Sequence, residues 1–443
     1  MRKLLAGLVL LGLFGASVQA EMLGLKNIKV DGSLEVKGVS ANNETDFSAA
    51  DDHRGDTLTR VRLGINMDLN KDVSGRLEFV RNPDATFAAQ YGNGATNLDT
   101  EQTAVTIQNA YVDMVNFLGL DTVRLGRQYV GHEGDLILFL GPVNDDALSV
   151  NALDALAISK KFSKINLFGA TGKMYDNNNI PGAGAAGPGD INLSWITAAS
   201  DELIALDKIK VPLEIGYYQA NNTSGTATND NVTLTVMDLR AGIVAFDDQL
   251  TASVEYAMNG GQDNNSGTKI NYKGNAMLVK GAFGNKDMGF DVHAQYAMGS
   301  GDDTGNDDKS FHSISSDYRY GEILSNDNEF TVANGLPGAG VETPLGLNVV
   351  TLGGSYVLPW MGRKFTTMGD YYMVKTDKSA PVLGNKIGNE LDLAIAYAHS
   401  DDIAVKAGYA MLAPDDLLTG GAGAPDENVS KLWAKLDLKF GSN

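Results

Sequence analysis

Apolar and polar residues alternate with a period of two over most of the 443-residue chain. In the segment 28–37, one face carries isoleucine, valine and leucine, while the other carries lysine, aspartate, serine and glutamate. This alternation is typical of a β-strand with one apolar and one polar face. The same pattern recurs at 60–69, 250–258, 290–298 and 431–440. The sequence therefore predicts an all-β protein.

The alternating segments have the length of membrane-spanning strands. We count about eighteen of them, each near the ~9–11 residues that a tilted strand needs to cross a bilayer. After the first twenty residues, no apolar run is long enough for a membrane-spanning helix. The segments are predicted to begin near residues 26, 57, 73, 103, 121, 148, 164, 191, 208, 232, 249, 270, 287, 345, 363, 388, 402 and 429.

The connections between these segments alternate between short turns and longer loops. Short periplasmic turns and long external loops are the arrangement of outer-membrane β-barrels. The longest loop spans about 299–344, and we expect it to be exposed at the cell surface. Short turns are predicted at Asn70–Asp72, Asn116–Leu120, Phe162–Ser163, Ser200–Glu202, Asp247–Asp248, Asn285–Lys286, Pro359–Gly362 and Ser400–Asp401.

A soluble β-sandwich or β-solenoid would also contain alternating strands. Two features favour a membrane barrel: charges follow the polar faces of whole strands, and aromatic residues gather near strand ends, as in the girdles at bilayer interfaces. Only closure of the sheet pairs every backbone donor inside a membrane. The predicted fold is therefore a transmembrane antiparallel up-and-down β-barrel of about 18 strands, whose lumen holds water, a plug or a folded-in loop.

The N-terminus has the layout of a secretory signal peptide. A basic start precedes the apolar run Leu4–Phe14, and small residues follow up to Ala20. A membrane-anchor helix would need about 20 apolar residues, roughly twice this run. We expect residues 1–20 to be cleaved and residues 21–443 to form a single barrel domain. Export then leads to the outer membrane of a Gram-negative bacterium.

The composition narrows the classes of function. The chain has no cysteine, which excludes disulfides and the attachment of c-type haem. Its 35 basic and 55 acidic residues give a formal net charge of −20, which argues against a nucleic-acid partner. The expected partners are outer-membrane lipid, lipopolysaccharide and small hydrophilic solutes. Both a monomer and a homotrimer fit the sequence.

Basic side chains cluster on one wall of the predicted barrel, and acidic ones on its third external loop, about 130–147. If that loop folds inward, the opposite charges form a constriction that orients polar solutes. The alternative is that the arginines contact neighbours in a solvated wall while the loop stays outside. Strict alternation points Arg127 towards lipid, unless a bulge at Gly126 turns it inward. The candidate pore-lining residues are Arg60, Arg62, Arg76, Arg124, Arg127, His132, Glu133, Asp135, Asp145 and Asp146.

An acidic run in the longest loop is a candidate site for Ca²⁺. Asp302, Asp303, Asp307 and Asp308 supply carboxylate oxygens of the kind that calcium binds. The run lacks the EF-hand pattern with its closing glutamate, so a solvated loop is the alternative. No other cofactor is expected.

A strand pair and loop near residues 109–135 resemble the corresponding part of the alginate-exporter-like family of porins. The resemblance rests on NAYVD at 109–113, VRLGRQ at 123–128 and Gly134-Asp135, and it covers roughly thirty residues. It implies a barrel of about this strand number that serves as an exporter or a passive channel. The C-terminus departs from the usual barrel ending on an aromatic residue, because three further residues follow Phe440.

These features predict a porin, a channel for diffusion of small hydrophilic solutes and ions through a water-filled barrel. A substrate-specific channel or a polysaccharide exporter is the alternative. An outer-membrane hydrolase is less favoured, because the chain has no HExxH or GxSxG motif; His312 and Ser315 are the Ser–His pair that such an enzyme could use. A structural or adhesin barrel would need a plugged lumen. We therefore expect no catalytic activity.

Overall fold

The computed structural model describes residues 26–48, 52–81, 105–175, 190–206, 208–223, 231–264, 269–303, 307–421 and 423–441. The predicted signal peptide and its cleavage site lie outside these residues. Eighteen strands form the barrel: β1 Lys26–Asn42, β2 Arg54–Asp68, β3 Val73–Arg81, β4 Thr106–Val115, β5 Thr122–Gln128, β6 Leu153–Phe162, β7 Ile165–Tyr175, β8 Asp190–Leu206, β9 Ile209–Thr223, β10 Asn231–Ala245, β11 Leu250–Asp263, β12 Asn275–Asn285, β13 Phe290–Gly299, β14 Leu347–Val357, β15 Phe365–Ala380, β16 Gly384–Ala398, β17 Ile403–Pro414 and β18 Val429–Gly441.

Short elements lie in the connections between the barrel strands. They are the strands Val130–Gly131, Phe139–Leu140, Ile270–Tyr272 and Asp307–Asp308, the helices α1 Asn328–Asn334 and α2 Asp416–Thr419, and the 3₁₀ turns Phe117–Gly119 and Pro359–Met361. Within the part of the chain that is described, no helix is long and apolar enough to cross a bilayer.

The sheet closes on itself. Each barrel strand pairs with the next in antiparallel register, and β1 also pairs with β18. At this seam Leu34 lies opposite Leu438, and Ser33 lies opposite Lys439. All the predicted strands are present, and each begins within five residues of its predicted start. The predicted all-β transmembrane barrel is confirmed.

The two faces of the strands meet different surroundings. On β1, Glu35 and Lys37 are buried inside the barrel. On the outer face, Leu239 of β10 and Leu393 of β16 expose 46% and 51% of their side chains. An apolar outer face of this kind is stable in contact with lipid chains and unfavourable in water. The alternation along the sequence thus separates a lipid-facing surface from a polar lumen.

Short turns join the strands at one end of the barrel, largely where the sequence predicts them. Asp247 and Asp248 adopt the left-handed backbone conformation that aspartate tolerates in tight turns. The turn predicted at Ser200–Glu202 was wrong, because β8 continues to Leu206. These polar residues lie instead at an irregularity of β8, where pairing with β9 resumes at Ile204.

Two long loops at the other end of the barrel fold into the lumen. Loop 3 (129–152) joins β5 to β6, and loop 7 (300–346) joins β13 to β14. The loops contact each other, since the backbone N–H of Ser315 donates to the carbonyl oxygen of Ile137 over 2.9 Å. Their apolar side chains form one core with the inner wall of the barrel. Fully buried members of this core include Leu136, Ile137, Tyr320, Ile323 and Phe330.

The expectation that loop 7 is exposed at the surface was wrong for its packed part. This loop carries Phe311, Tyr320 and Phe330, and these side chains leave water by packing inside the barrel. We therefore expect protease added to intact cells at mildly acidic pH to leave residues 310–330 uncut, because cleavage requires local unfolding. Mass spectrometry of the fragments checks this, with denatured protein as the control that is cut there. Rapid cleavage of this segment in intact cells at mildly acidic pH would contradict the packing.

Candidate functional site

Loop 3 crosses the lumen between opposite walls of the barrel. On β2, the guanidinium of Arg60 donates to the carbonyl oxygens of Val143 (2.6 Å) and Ser149 (3.1 Å) of loop 3. On β10, the guanidinium of Arg240 lies 2.5 Å from the Asp135 carboxylate of the same loop. Strands β2 and β10 are eight positions apart in a ring of eighteen, so they face each other. The loop therefore narrows the lumen.

Cavities extend from the short-turn end of the barrel up to loop 3. One of about 1060 Å³ lies against β1 to β4 and β18. A second, of about 550 Å³, reaches Glu133 and Phe139 of loop 3. The two cavities share Arg62, Lys439 and the turn residues 401–402, so they adjoin. A third cavity of about 420 Å³, against β5 to β9, is lined partly by His132 and also reaches the short-turn end at Lys164.

Three of the candidate arginines are paired with carboxylates of the surrounding barrel wall. Each pair joins lumen-facing side chains, and most are bidentate, a geometry that gives strong charge-assisted hydrogen bonds. The pairs are Arg60 with Glu35 (2.5 Å), Arg76 with Asp31 (2.8 Å) and Glu78 (2.5 Å), and Arg124 with Asp113 (2.7 Å). Their positive charge is therefore largely compensated within the wall.

Arg62 has no such carboxylate partner. Its Nε donates to the Ser33 hydroxyl over 3.0 Å, and Lys439 lies opposite the same serine on the other side of β1. Among the described residues, no carboxylate comes within ion-pair distance of Arg62 or Lys439. Sequence reasoning missed Lys439, because the closure of β18 on β1 is what places it beside Arg62. These two side chains are the cationic groups free to act on a solute where the adjoining cavities meet.

Arg127 lies on the outer face of the barrel and not in the lumen. Strand pairing continues through Gly126 without a shift, so Arg127 stays on the face of Leu125, which is 56% exposed. Its guanidinium donates to the Asp154 carboxylate over 3.1 Å. The inward turn considered for Gly126 is therefore not formed, although its φ of +126° is a conformation that favours glycine.

The candidate pore-lining residues of loop 3 fall into two groups. Glu133 and His132 are exposed and line the cavities. Asp135, Asp145 and Asp146 are buried and act within the protein. Asp135 pairs with Arg240, Asp145 accepts from the backbone N–H of Ser149 (2.9 Å), and Asp146 lies between Lys37 (2.6 Å) and Lys431 (2.5 Å). Asp135 and Asp146 thus attach the loop to the barrel wall, Asp145 acts within the loops, and none of the three faces the open lumen.

Most carboxylates of the acidic run in loop 7 are paired with lysine or histidine side chains of the protein itself. Asp303 pairs with Lys309 (2.6 Å), and Asp307 pairs with Lys273 (2.5 Å). Asp308 lies 2.8 Å from His312, while Asp302 accepts from the backbone N–H of Asp303. Within the described ranges, no group of three or more acidic or histidine side chains is placed to hold a metal ion.

The candidate Ser–His pair is not assembled. The Ser315 hydroxyl donates to the carbonyl oxygen of Phe139 over 3.2 Å, whereas His312 faces Asp308. A serine nucleophile would need its hydroxyl within hydrogen-bond reach of the histidine that activates it. These two residues therefore serve to position loops 3 and 7.

Solved structures share this fold. The crystal structure of Acinetobacter baumannii OccAB2 matches with a TM-score of 0.58 and 12% sequence identity, covering 94% of this chain and 98% of that one. Pseudomonas aeruginosa OccK9 (OpdG) matches with a TM-score of 0.57 and 14% identity, covering 94% and 99%. Pseudomonas aeruginosa OpdL matches with a TM-score of 0.57 and 9% sequence identity, covering 94% of this chain and 99% of that one. These neighbours are outer-membrane porins, so the chain has a porin fold. No protein-family model and no curated sequence matches the chain.

Proposed function

We propose that the protein is an outer-membrane channel through which small hydrophilic solutes and ions diffuse. One observation carries this proposal: adjoining cavities with charged linings lie inside a closed barrel whose outer face is apolar. Water and polar solutes are stable in such a lumen, and lipid is stable outside it. The fold shared with porins supports the same function.

The inward loops favour a selective channel over a wide, general one. Loops 3 and 7 fill much of the lumen opposite the short turns, and solutes must pass beside them. A polysaccharide exporter of the kind implied by the alginate-exporter-like resemblance would need room for a chain. The packed loops favour short solutes instead.

In this proposal, the signal peptide directs export of the chain, and the barrel inserts into the outer membrane beside lipid and lipopolysaccharide. Ca²⁺ would bind the acidic run of loop 7 only by displacing the lysine partners of Asp303 and Asp307, whereas His312 and Ser315 provide no catalytic pair. The protein then acts as a passive channel without enzymatic activity, and it works as a monomer or a homotrimer.

Liposome swelling tests the channel and its size limit. Purified protein in vesicles should admit amino acids and monosaccharides and exclude oligosaccharides, because loops 3 and 7 narrow the lumen. Vesicles that contain heat-denatured protein are the control. Equal, slow swelling with every solute would contradict a channel, and rapid uptake of long oligosaccharides would favour the exporter.

Arg62 and Lys439 are expected to influence ion selectivity. Removing both positive charges in an Arg62→Gln, Lys439→Gln variant should shift the reversal potential in a salt gradient towards cations, since neither group forms an ion pair with a carboxylate of the described residues. Arg127→Gln is the matched control, because this arginine lies on the outer face and its loss should leave selectivity unchanged. Equal shifts in both variants would contradict the placement of these side chains.

A further inference from the structure

Three buried cations attach both inward loops to one part of the barrel wall. Lys37 of β1, Arg54 of β2 and Lys431 of β18 lie on adjoining strands, and their side chains are 3%, 10% and 0% exposed. Asp146 of loop 3 lies 2.6 Å from Lys37 and 2.5 Å from Lys431. Loop 3 is therefore anchored across the seam where β18 meets β1.

Loop 7 reaches the same cations. The carboxylate of Asp327 contacts Arg54 and lies 3.5 Å from Lys431, while it also caps the N-terminus of α1. Glu322 pairs with Lys37 over 3.5 Å, and its carbonyl oxygen accepts from Lys431 over 2.5 Å. Lys37, Arg54 and Lys431 thus each contact both loops.

The cluster holds more carboxylates than cations. Glu44 of the first loop, Asp56 of β2 and Glu329 of α1 also surround Arg54. With Asp146, Glu322 and Asp327, six carboxylates face three cations. On β16, Glu390 and Asp392 add further carboxyl groups, which accept from the backbone N–H groups of residues 322–324. Buried like charges repel strongly when all are ionised, so such a cluster favours binding of protons.

The pKa values of the loop carboxyl groups follow from their burial and from this excess of carboxylates over cations. Burial and the nearby Asp327 carboxylate raise the pKa of Glu44 to about 8, although Arg54 donates to it. Burial also raises the pKa of Glu329. For Asp146, burial would raise the pKa, but Lys37 and Lys431 outweigh it and hold the pKa well below its ordinary value. Asp146 therefore stays ionised as the anchor, while Glu44, with its raised pKa, loses its proton as the pH rises through about 8.

We propose that this cluster is a proton-sensitive latch, which holds loops 3 and 7 in the lumen when its surplus carboxyl groups are protonated and releases them as pH rises. The proposal rests on the channel function proposed above. The latched state binds more protons than a state in which the loops are solvated and Glu44 has its ordinary pKa. Latching is therefore strongest in acid and is lost as pH rises through the pKa of Glu44 in the cluster.

The charge surplus predicts opposite effects for two substitutions. Lys431→Met removes one of the three cations that contact both loops and increases the surplus, so the loops should leave the lumen even at low pH. Glu44→Gln removes a carboxylate but keeps an acceptor for Arg54, so the loops should stay latched at high pH. Lys29→Met is the matched control, because Lys29 lies in the lumen at the short-turn end and has no contact with either loop.

Single-channel conductance of the full-length protein, measured from about pH 6 to about pH 9, tests the latch. We expect a several-fold rise with pH in the unmodified protein and in Lys29→Met, a high conductance throughout in Lys431→Met, and a low one throughout in Glu44→Gln. Heat-modifiable migration on gels confirms that each variant keeps its barrel. If Lys431→Met fails to fold, the pH dependence of conductance in the unmodified protein and in Glu44→Gln still tests the latch.

Two other outcomes overturn different claims. Conductance that does not change with pH in the unmodified protein, or the same pH dependence in Glu44→Gln, overturns the latch and leaves the channel intact. Absence of conductance in every variant at every pH overturns the channel function itself. Protease cleavage within 310–330 should follow the conductance, rising with pH only when the latch is present.

Discussion

Arginine in place of Leu393 is expected to lower the free energy of unfolding of the barrel by about 2–4 kcal/mol, the cost of a charge near the bilayer midplane. Leu393 lies in the middle of β16, and 51% of its side chain is exposed on the outer face. Val292 lies near the short-turn end of β13, where the same change should cost only about 0–1 kcal/mol. Urea unfolding in lipid vesicles measures both values.

Ser253→Arg is the matched control on the lumen face. Ser253 is exposed to the lumen on β11, two residues before the inward-facing Glu255 and so on the same face, and a charge there stays in water. We expect no measurable loss of stability. Equal losses in Leu393→Arg and Ser253→Arg would mean that the outer face does not meet lipid.

Replacing residues 132–150 of loop 3 by a short Gly-Ser linker is expected to raise single-channel conductance several-fold. Loop 3 spans the lumen from Arg60 to Arg240, and loop 7 packs on it through Ile137 and Ser315. Removing loop 3 takes away both the constriction and the support for loop 7. Larger solutes should then enter vesicles in the swelling assay.

The hairpin tip at residues 381–383 provides the control for this deletion. Val382 at this tip is fully exposed. Replacing the tip by glycines should leave conductance unchanged, because it contributes nothing to the lumen. An unchanged conductance after removal of loop 3 would show that the loop does not limit the flow of ions.

The fold follows from local sequence patterns because a barrel is built from local pairings. Alternation identifies the face of each residue, and turn residues such as Asp247 and Asp248 mark where neighbouring strands meet. The turn predicted at Ser200–Glu202 was wrong because it, too, was based on local sequence patterns alone. Polar residues at an irregular point of β8 look like a turn when the pairing with β9 is not known.

The site was harder to predict, since it depends on contacts between distant parts of the chain. Alternation places Arg62 and Lys439 on the lumen face, but only closure of β18 on β1 makes them neighbours. The sequence pattern places Asp146 among the lumen charges, whereas the fold buries it between Lys37 and Lys431. The apolar residues of loop 7 were the signal that could have predicted its inward packing.

The lining of the larger cavity predicts the sign of ion selectivity. Six carboxylates and four cationic side chains line it, and the chain as a whole carries a formal net charge of −20. The resulting potential concentrates cations in the lumen and at its mouth. Screening limits its reach to about 8–10 Å at physiological salt, so the preference should weaken as salt rises.

Recording from single molecules in a planar bilayer, with different salt concentrations on the two sides, tests the central claim most directly. An aqueous channel through the barrel predicts discrete conductance steps and a reversal potential that indicates a mild preference for cations. A bilayer that stays silent after insertion of folded barrels would contradict the channel, and a clear preference for anions would contradict the charge assignment of its lumen.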